Sequence, residues 1–598
     1  MKNEKKKEKV PFKNALKNNL YMLKIAYSSD RLMVIMRLVM GFLTGLNHGL
    51  SIFFISEILN SLDRGADLSY IFTLTGIMGL YTLSYELFFA WYWKLLNPFH
   101  KLDFIRLIHK SFFVKANDID LSCYDTPEFY NDFIYSMNNC DKSIVNTVDQ
   151  LSDLISSLVA SVSVFAVVVN VDWVVALIIF GAAVLDMIIR LIQNGMWYKF
   201  ELKLNELWRK SWYIERFFSL SDYAKEIRLT DIDKRLLQEY DETMLIERKA
   251  DAKNRIQVGS LNFLATLLSS GLIIFILIYM AHGLIVKGTV LIGGFSVAIT
   301  ASWKLKHLLY NIQDKFVQMG KDSLYADKIR KFLESEPKIK DGALELKEFE
   351  SLEFKNVCFA YKDENYVLEN VSFKVSKGER IAFVGYNGAG KTTTTKLIMR
   401  LYDTTSGEIL INGINIKEYT LKSLRGKMGA VFQDYKVFAA TVAENVIGSL
   451  YTLDKEETVL NALDDSTFTD KLKSLENGIN TELTREFYDS GTNLSGGENQ
   501  KIAIARVFAQ GNELIIMDEP SSALDPIAEY NLNLGIDKNA KDKTVVFITH
   551  RLSTTRHVNR IYMFENGKII ELGSHDELIA LDGKYAHMFN LQAQKYKA

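Results

Sequence analysis

The sequence predicts a multidomain chain of two unlike parts, an all-α six-helix transmembrane domain over residues 31–330 and an α/β domain over 349–598. Six apolar stretches, each long enough for the roughly 20 residues that cross a bilayer core, recur before residue 312. Basic residues crowd into alternate connections between them. Beyond residue 349 the pattern changes to short β-branched or apolar runs separated by helical stretches, which is the α/β signature.

Composition sets outer limits. A chain of 598 residues is several times the roughly 100–200 of one domain, so at least two cores are required. With 71 Lys+Arg against 72 Asp+Glu, the formal charge of −1 argues against neutralisation of phosphate backbones, and no nucleic-acid partner is expected. Only 6 prolines, beside 48% hydrophobic residues, permit long helices and exclude Pro-rich linkers. Cys123, Cys140 and Cys358 stand in no pairwise ligand spacing, which excludes a disulfide scaffold and a cysteine zinc site and leaves packing as their expected role.

Residues 1–30 form a basic segment without an apolar run suited to a signal peptide, so it is expected to stay in the cytosol. It is also too short to fold a peptidase domain, and leader-peptide cleavage is not expected. The apolar stretches follow at 31–59, 69–97, 147–170, 172–195, 258–283 and 290–311. Asn47, His48, Glu86 and Asp186 make several of them amphipathic, as suits the interior of a bundle or a wet cavity. The connections at 60–68, 171 and 284–289 hold only Arg64 and Lys287, whereas 2–24, 99–143 and 196–256 hold 26 basic residues. The sequence therefore predicts a multi-pass protein of the cell membrane with both ends in the cytoplasm. The long inner connections keep helical periodicity, so the spans are expected to run on into the cytosol and turn near Asp118–Asp125 with Pro127, and again near Ser219–Asp222. Gln313–Glu334 reads as an exposed charged helix, and 331–348 as a linker.

In the second domain, strands are expected at Ile381–Val384, Leu514–Met517 and Val545–Ile548. After the first comes Gly385-Tyr386-Asn387-Gly388-Ala389-Gly390-Lys391-Thr392, a G-x-x-x-x-G-K-[ST] loop followed by a helical run, with Thr393 next in line. Glycines let backbone N–H groups converge on phosphates, the helix N-terminus adds positive potential, Lys391 neutralises phosphate oxygens and Thr392 can ligate Mg²⁺. The second strand ends in Asp518-Glu519. Two acids at a strand end are ordinarily a solvated turn, but beside a phosphate loop Asp518 would hold Mg²⁺ and Glu519 would polarise the attacking water.

Leu494-Ser495-Gly496-Gly497-Glu498, continuing through Gln500-Lys501 and Ala503-Ile504-Ala505-Arg506, resembles the signature motif of ATP-binding cassette (ABC) proteins and stands about twenty residues before the acidic strand. In the pattern this resemblance implies, Tyr361 stacks on adenine, Gln433 contacts Mg²⁺ and senses substrate, Asp525 belongs to the D-loop Ser522-Ala523-Leu524-Asp525, and His550 is the switch histidine. Singly, each has an ordinary explanation: a strand-edge aromatic, a polar loop residue, an N-cap, a satisfied histidine. Jointly and in order they do not.

Six spans before one cassette resemble a half-size ABC exporter along essentially the whole chain. The resemblance implies a domain-exchanged helical bundle, coupling helices near Asp118–Tyr130 and Phe217–Leu229, and a second subunit. ATP would lie between Lys391 of one cassette and Ser495, Gly496 and Gly497 of the other. The implied partner is a second copy or a sister subunit, and intact Lys391, Gln433, Ser495, Glu519 and His550 favour the copy. The implied activity is ATP hydrolysis driving export of an amphipathic peptide, drug-like molecule or lipid by alternating access. The same scaffold also serves as a lipid flippase, an importer or a nucleotide-gated membrane protein. A soluble cassette ATPase is contradicted by the spans and the charge bias.

Two departures stand out. The stretch before the signature is Thr481-Glu482-Leu483-Thr484-Arg485-Glu486 with a longer run to Leu494, and Glu498 replaces a common glutamine. Both, with Cys123–Tyr130 at the first inner turn, are similar to bacterial peptide and bacteriocin exporters. Among the intramembrane acids, Asp186 has Arg190 one turn on and is expected to pair with it. Glu86 has no such neighbour, sits among aromatics, and is either bonded to a residue such as His48 or faces a cavity that favours cationic cargo.

Overall fold

The computed structural model describes residues 12–220, 223–362, 365–520, 526–539, 542–549 and 554–597. The chain divides into two compact units, one comprising residues up to Asn117 with Asn131–Ser335, the other Asp118–Tyr130 with Glu336 onward.

The first unit is helical: α1 (Phe12–Ser29), α2 (Arg31–Asp63), α3 (Leu68–Trp91) and α4 (Asn97–Asn117), then, beyond the short α5 (Leu121–Tyr124) of the second unit, α6 (Pro127–Val171), α7 (Trp173–Ser219), α8 (Ala224–Leu229), α9 (Ile232–His282) and α10 (Ile292–Glu334). A π-helical turn at Tyr92–Leu96 joins α3 to α4. The sharpest reversal is the single residue between α6 and α7, where Asp172 Oδ1 accepts from the backbone N–H groups of Val174 and Val175 at 2.7 and 3.2 Å and so caps the new helix. Helices α2 and α6 approach closely because Gly41, Gly45 and Gly49 recur every four residues along one face of α2. A Cβ at Gly41 would lie 2.5 Å from the Ser152 carbonyl oxygen, a separation that any side chain would force apart. Around this seam the core collects Ala160, Val164, Ala176 and Ala301, small or branched residues, with the unbranched Met280 filling between them, so that four helices interlock.

Two expectations change here, and the six expected spans are all helical. Among the described residues five helices are long and apolar enough to cross a membrane by length and composition, and the sixth span lies in α10, where Lys304, Lys306 and His307 interrupt the apolar run. Gln313–Glu334 is not a separate exposed helix but the continuation of α10, with Ser323, Ile329 and Phe332 buried. What buries them includes the basic N-terminal segment, which forms α1: Asn18 and Asn19 donate to the carbonyls of Ser323 and Met319, both at 3.0 Å. The lysine-rich composition hid an amphipathic helix whose Met22 and Ala26 are fully buried. The first inner turn falls between α4 and α6 as expected; in the second, α7 stops at Ser219, and residues 221 and 222 lie outside the described residues.

The second unit holds two sheets. One has the order β2–β1–β4–β5, made antiparallel by β1 (Ser351–Ala360), β2 (Tyr366–Ser376), β4 (Ser406–Ile411) and β5 (Ile414–Asn415). The other runs β10–β9–β3–β8–β7–β6, from β3 (Arg380–Gly385), β6 (Met428–Val431), β7 (Leu514–Asp518), β8 (Thr544–Ile548), β9 (Arg560–Glu565) and β10 (Lys568–Gly573). All its pairings are parallel except β9 with β10. The three strands expected from sequence are β3, β7 and β8, and all three lie in this sheet. β7 and β8 are buried throughout and β3 all but Arg380, the continuous burial of parallel strands covered on both faces. Flanking helices are α11 (Lys391–Ile398), α12 (Leu421–Gly426), α13 (Val442–Ile447), α14 (Glu456–Asp465), α15 (Thr469–Lys473), α16 (Gly496–Ala509), α17 (Pro526–Asn539), α18 (His575–Ala580) and α19 (Lys584–Lys597).

Candidate nucleotide site

In the doubly wound sheet of the second unit, β3 and β7 are separated only by β8, so their C-terminal ends open side by side, the edge at which ligands bind in such sheets. β3 delivers the glycine loop. Its backbone takes positive φ at Gly388 (79°) and Gly390 (101°), and a Cβ at Gly390 would meet Leu368 at 2.5 Å, so the loop tolerates no side chain there. Lys391 opens α11 and folds its ammonium back over the loop, donating to the Gly385 and Tyr386 carbonyls at 2.7 and 2.9 Å. Burial pushes the ammonium pKa down, against the opposing pull of Glu519 and Asp518.

Thr392 Oγ1 donates to Asp518 Oδ2 at 3.2 Å, tying the first turn of α11 to the end of β7. Burial pushes the Asp518 carboxyl up to about 6; the Thr392 hydrogen bond works against this, while the neighbouring Glu519 charge adds to it. Glu519 follows with φ +50°, a left-handed conformation that costs a non-glycine residue about 1–2 kcal/mol. Its N–H donates to the Ile548 carbonyl at 2.9 Å, and its own carbonyl accepts from Gln500 Nε2 at 3.1 Å. Held this way, its side chain meets Gln433, whose Nε2 donates to Glu519 Oε2 at 3.4 Å.

These groups line one cleft of about 400 Å³, with Asn387, Gly388, Gly390, Lys391, Thr392, Thr393, Gln433, Asp518 and Glu519 around it. The oxygens of Thr392, Gln433 and Asp518 are hard donors of the kind Mg²⁺ takes. Gly385 contributes through the carbonyl that holds Lys391. Tyr361 lies off the cleft but hydrogen-bonds Thr393 between hydroxyls 3.2 Å apart, its ring edge-on to Phe359 and Tyr402. Ser495, Gly496 and Gly497 do not line the cleft; they begin α16, where Ser495 and Glu498 cap each other reciprocally, Ser495 N–H to Glu498 Oε2 at 2.8 Å and Glu498 N–H to Ser495 Oγ at 3.4 Å. That is a structural reason for glutamate at 498. Asp525 and His550 lie outside the described residues.

Residues 368–522 match the profile of the ABC transporter family. The chain carries an ATP-binding cassette domain. Its relatives include the multidrug export ATP-binding/permease protein YgaD of Bacillus subtilis (strain 168), 42% identical over 242 residues. Another is the ATP-dependent lipid A-core flippase of Pasteurella multocida (strain Pm70), 39% identical over the same length. Both alignments cover 40% of this chain and 41% of the relative, so the chain spans about two fifths of the length of the curated relatives it matches. Among solved structures, a bacterial Atm1-family ABC exporter with ATP bound superposes with a TM-score of 0.74, covering 94% of this chain and 98% of that one at 24% identity. The fold ahead of the cassette is therefore that of an ABC exporter, and its apolar helices make the chain a multi-pass membrane protein.

Sequence reasoning passed over Gln500, quoted only within the signature, as the residue bonded to Glu519. Its signal was a glutamine on the apolar face of α16, where only a bonded amide is tolerated.

Proposed function

We propose that this chain is one half of an ATP-hydrolysing exporter that moves an amphipathic peptide, drug-like molecule or lipid across the cell membrane by alternating access. The observation that carries the reading is the convergence of Lys391, Thr392, Gln433, Asp518 and Glu519 on one cleft, in a chain whose fold is that of an exporter. In this reading the transmembrane domain is 31–330, the linker 331–348 and the cassette 349–598, with the N-terminus and cassette cytoplasmic.

The loop from Gly385 to Thr393 binds the phosphates, and Lys391 exchanges its two carbonyl partners for phosphate oxygens. Tyr361 stacks on the adenine. Thr392, Gln433 and Asp518 hold Mg²⁺, which neutralises phosphate charge when bound. Glu519 is the general base, Gln433 orients it, and His550 and Asp525 complete the site. Because Ser495, Gly496 and Gly497 stand away from the cleft, the γ-phosphate is met by the partner subunit's Ser495 and its two glycines. A homodimer is the favoured assembly, a heterodimer the alternative. Two nucleotides then close the cassettes through their higher affinity for the closed state, and hydrolysis resets it. The names of the relatives, a multidrug permease and a lipid flippase, fit an amphipathic cargo.

Inside-out vesicles test this. ATP should drive lipophilic or peptide substrates into the lumen, and Glu519→Gln vesicles should accumulate none. Uptake by the variant equal to that of the native chain would overturn the reading, as would a native mass of one chain in the active sample.

A further inference from the structure

Away from the cassette, in the first unit, α4 and α6 bring together three side chains of metal-binding type: His109 from the first, and Cys140 and Asp141 from the second. Their donor atoms all lie within 4.8 Å of one another. Neighbouring residues on a helix point about 100° apart, so Cys140 and Asp141 border His109 from two sides.

The contacts these groups make with each other do not satisfy them. Among the described residues His109 Nε2 is buried without a hydrogen-bond partner, and its approach to Asp141 Oδ1, at 3.8 Å, is beyond hydrogen-bond reach. Cys140 is 1% exposed, and among the described residues its sulfur meets only the Met137 carbonyl of its own helix, at 3.7 Å. A buried imidazole nitrogen beside a thiol and a carboxylate, with no bond to either, is a costly arrangement for packing alone.

We propose that His109 Nε2, Cys140 Sγ and an Asp141 oxygen form a three-ligand site for a borderline divalent cation, zinc fitting best. One thiolate, one carboxylate and one neutral imidazole cancel a 2+ charge, and mixed N, S and O donors suit Zn²⁺ rather than Mg²⁺ or Ca²⁺. In a tetrahedral zinc site with bonds of about 2.0–2.3 Å, donors stand about 3.3–3.8 Å apart, so the trio closes by about an ångström through side-chain rotation. Three protein ligands leave a fourth position for water. The cation clips together the two helices that lead into and out of residues 118–130, and binding it stabilises whichever spacing of those helices completes the site. No cysteine spacing could announce such a site, because its ligands come from one cysteine and two helices.

The test uses the full-length, tag-free chain in detergent, stripped with a chelator and titrated with Co²⁺. We expect one Co²⁺ per chain with thiolate-to-cobalt absorption in the near ultraviolet, displaced by Zn²⁺. The absorption should vanish in Cys140→Ser, persist in Cys123→Ser and Cys358→Ser, and need at least about tenfold more Co²⁺ in His109→Gln and Asp141→Asn. Zn²⁺ should raise the unfolding temperature of the native chain and not of Cys140→Ser. If Cys140→Ser does not fold, the His109→Gln and Asp141→Asn titrations decide alone. Absorption that survives Cys140→Ser, affinity unmoved in both other variants, or no Co²⁺ or Zn²⁺ bound at micromolar concentrations would overturn the proposal.

Discussion

The Thr392 hydroxyl donates to the Asp518 carboxylate across 3.2 Å, joining the phosphate loop to the acidic strand. The carboxylate on the receiving end is 4% exposed, and burial lifts its pKa to about 6. An unfolded aspartate titrates near 3.9. Between about pH 4 and 6 the folded chain therefore holds a proton that the unfolded chain has lost, so Asp518's contribution to stability falls as pH rises through that window and stays low above it. Asp518→Asn removes the fall. In metal-free, nucleotide-free protein the variant should gain stability over the native chain on the order of 1–2 kcal/mol at pH 7.5 and little at pH 4.5, read from thermal unfolding at both. The same protonation should weaken Mg²⁺-nucleotide binding by the native chain below about pH 6.

Glu519 is the second point of leverage. As the proposed general base it adds little to ground-state binding, so Glu519→Gln should cut hydrolysis by about 10²–10⁴ while nucleotide affinity stays within a few-fold. Lys391→Ala should do the reverse, losing affinity first. Turnover and equilibrium nucleotide binding, measured on the same preparations, separate the two.

Gln500 acts through Glu519 by bonding the carbonyl of a residue held at φ +50°. Gln500→Ala should lower turnover about tenfold with KM for ATP little changed, and cost about 1 kcal/mol of stability. Gln500→Glu, unable to donate when ionised, should behave like the alanine variant. Rescue by glutamate would show that the amide does not position the base.

The strands, the glycine loop and the acids were legible because each is a local pattern: four to six apolar residues, fixed spacing, a strand end. What escaped needed the third dimension. α1 was hidden because the lysine cluster just ahead of it marks the whole segment as basic, while Met22 and Ala26, one turn apart, are what it buries. The Gly41, Gly45, Gly49 stripe was readable as a close-packing face, since its spacing of four is visible in the sequence, but the serines it meets on α6 lie more than a hundred residues away. His109, Cys140 and Asp141 have no spacing to read at all. Asp186 and Arg190 show the opposite case, an i, i+4 pair expected from sequence and found at 2.7 Å.

Tyr402 supplies a link within the second unit between the nucleotide side and the first inner turn. Its hydroxyl donates to Asp125 Oδ2 at 2.5 Å while its ring packs edge-on against Tyr361. Burial, then the bond to Asp125, push its pKa up, so it remains a donor throughout the physiological range. Tyr402→Phe keeps the ring and removes the donor. We expect basal hydrolysis within about twofold of native and a loss of most substrate stimulation, with Asp125→Asn giving a similar loss and the double variant no more than either. Additive losses would show that the two residues act separately.

Glu86 closes the set. The sequence left two readings open, a bond to a residue such as His48 or a cavity that favours cationic cargo. Among the described residues Glu86 makes no hydrogen bond or ion pair, which removes the support for the first, and it is exposed on α3, a helix with no buried side chain. The aromatics around it do contact one another, Tyr85 with Phe89 and Phe89 with Trp93, at ring separations of 5.9 Å. An acid beside aromatic rings attracts amphipathic cations, by charge at one end and by the ring quadrupoles along the apolar body. Removing its charge without changing its shape should leave folding alone, because an exposed, unpaired side chain contributes within about 0.5 kcal/mol. Glu86→Gln should therefore unfold at the native temperature and hydrolyse ATP at the native basal rate. Stimulation by cationic amphiphiles should need several-fold more substrate, while stimulation by neutral ones is unchanged. Equal losses for both classes would point to a steric role for this face of α3, and a lowered unfolding temperature would show that Glu86 is bonded in the working assembly.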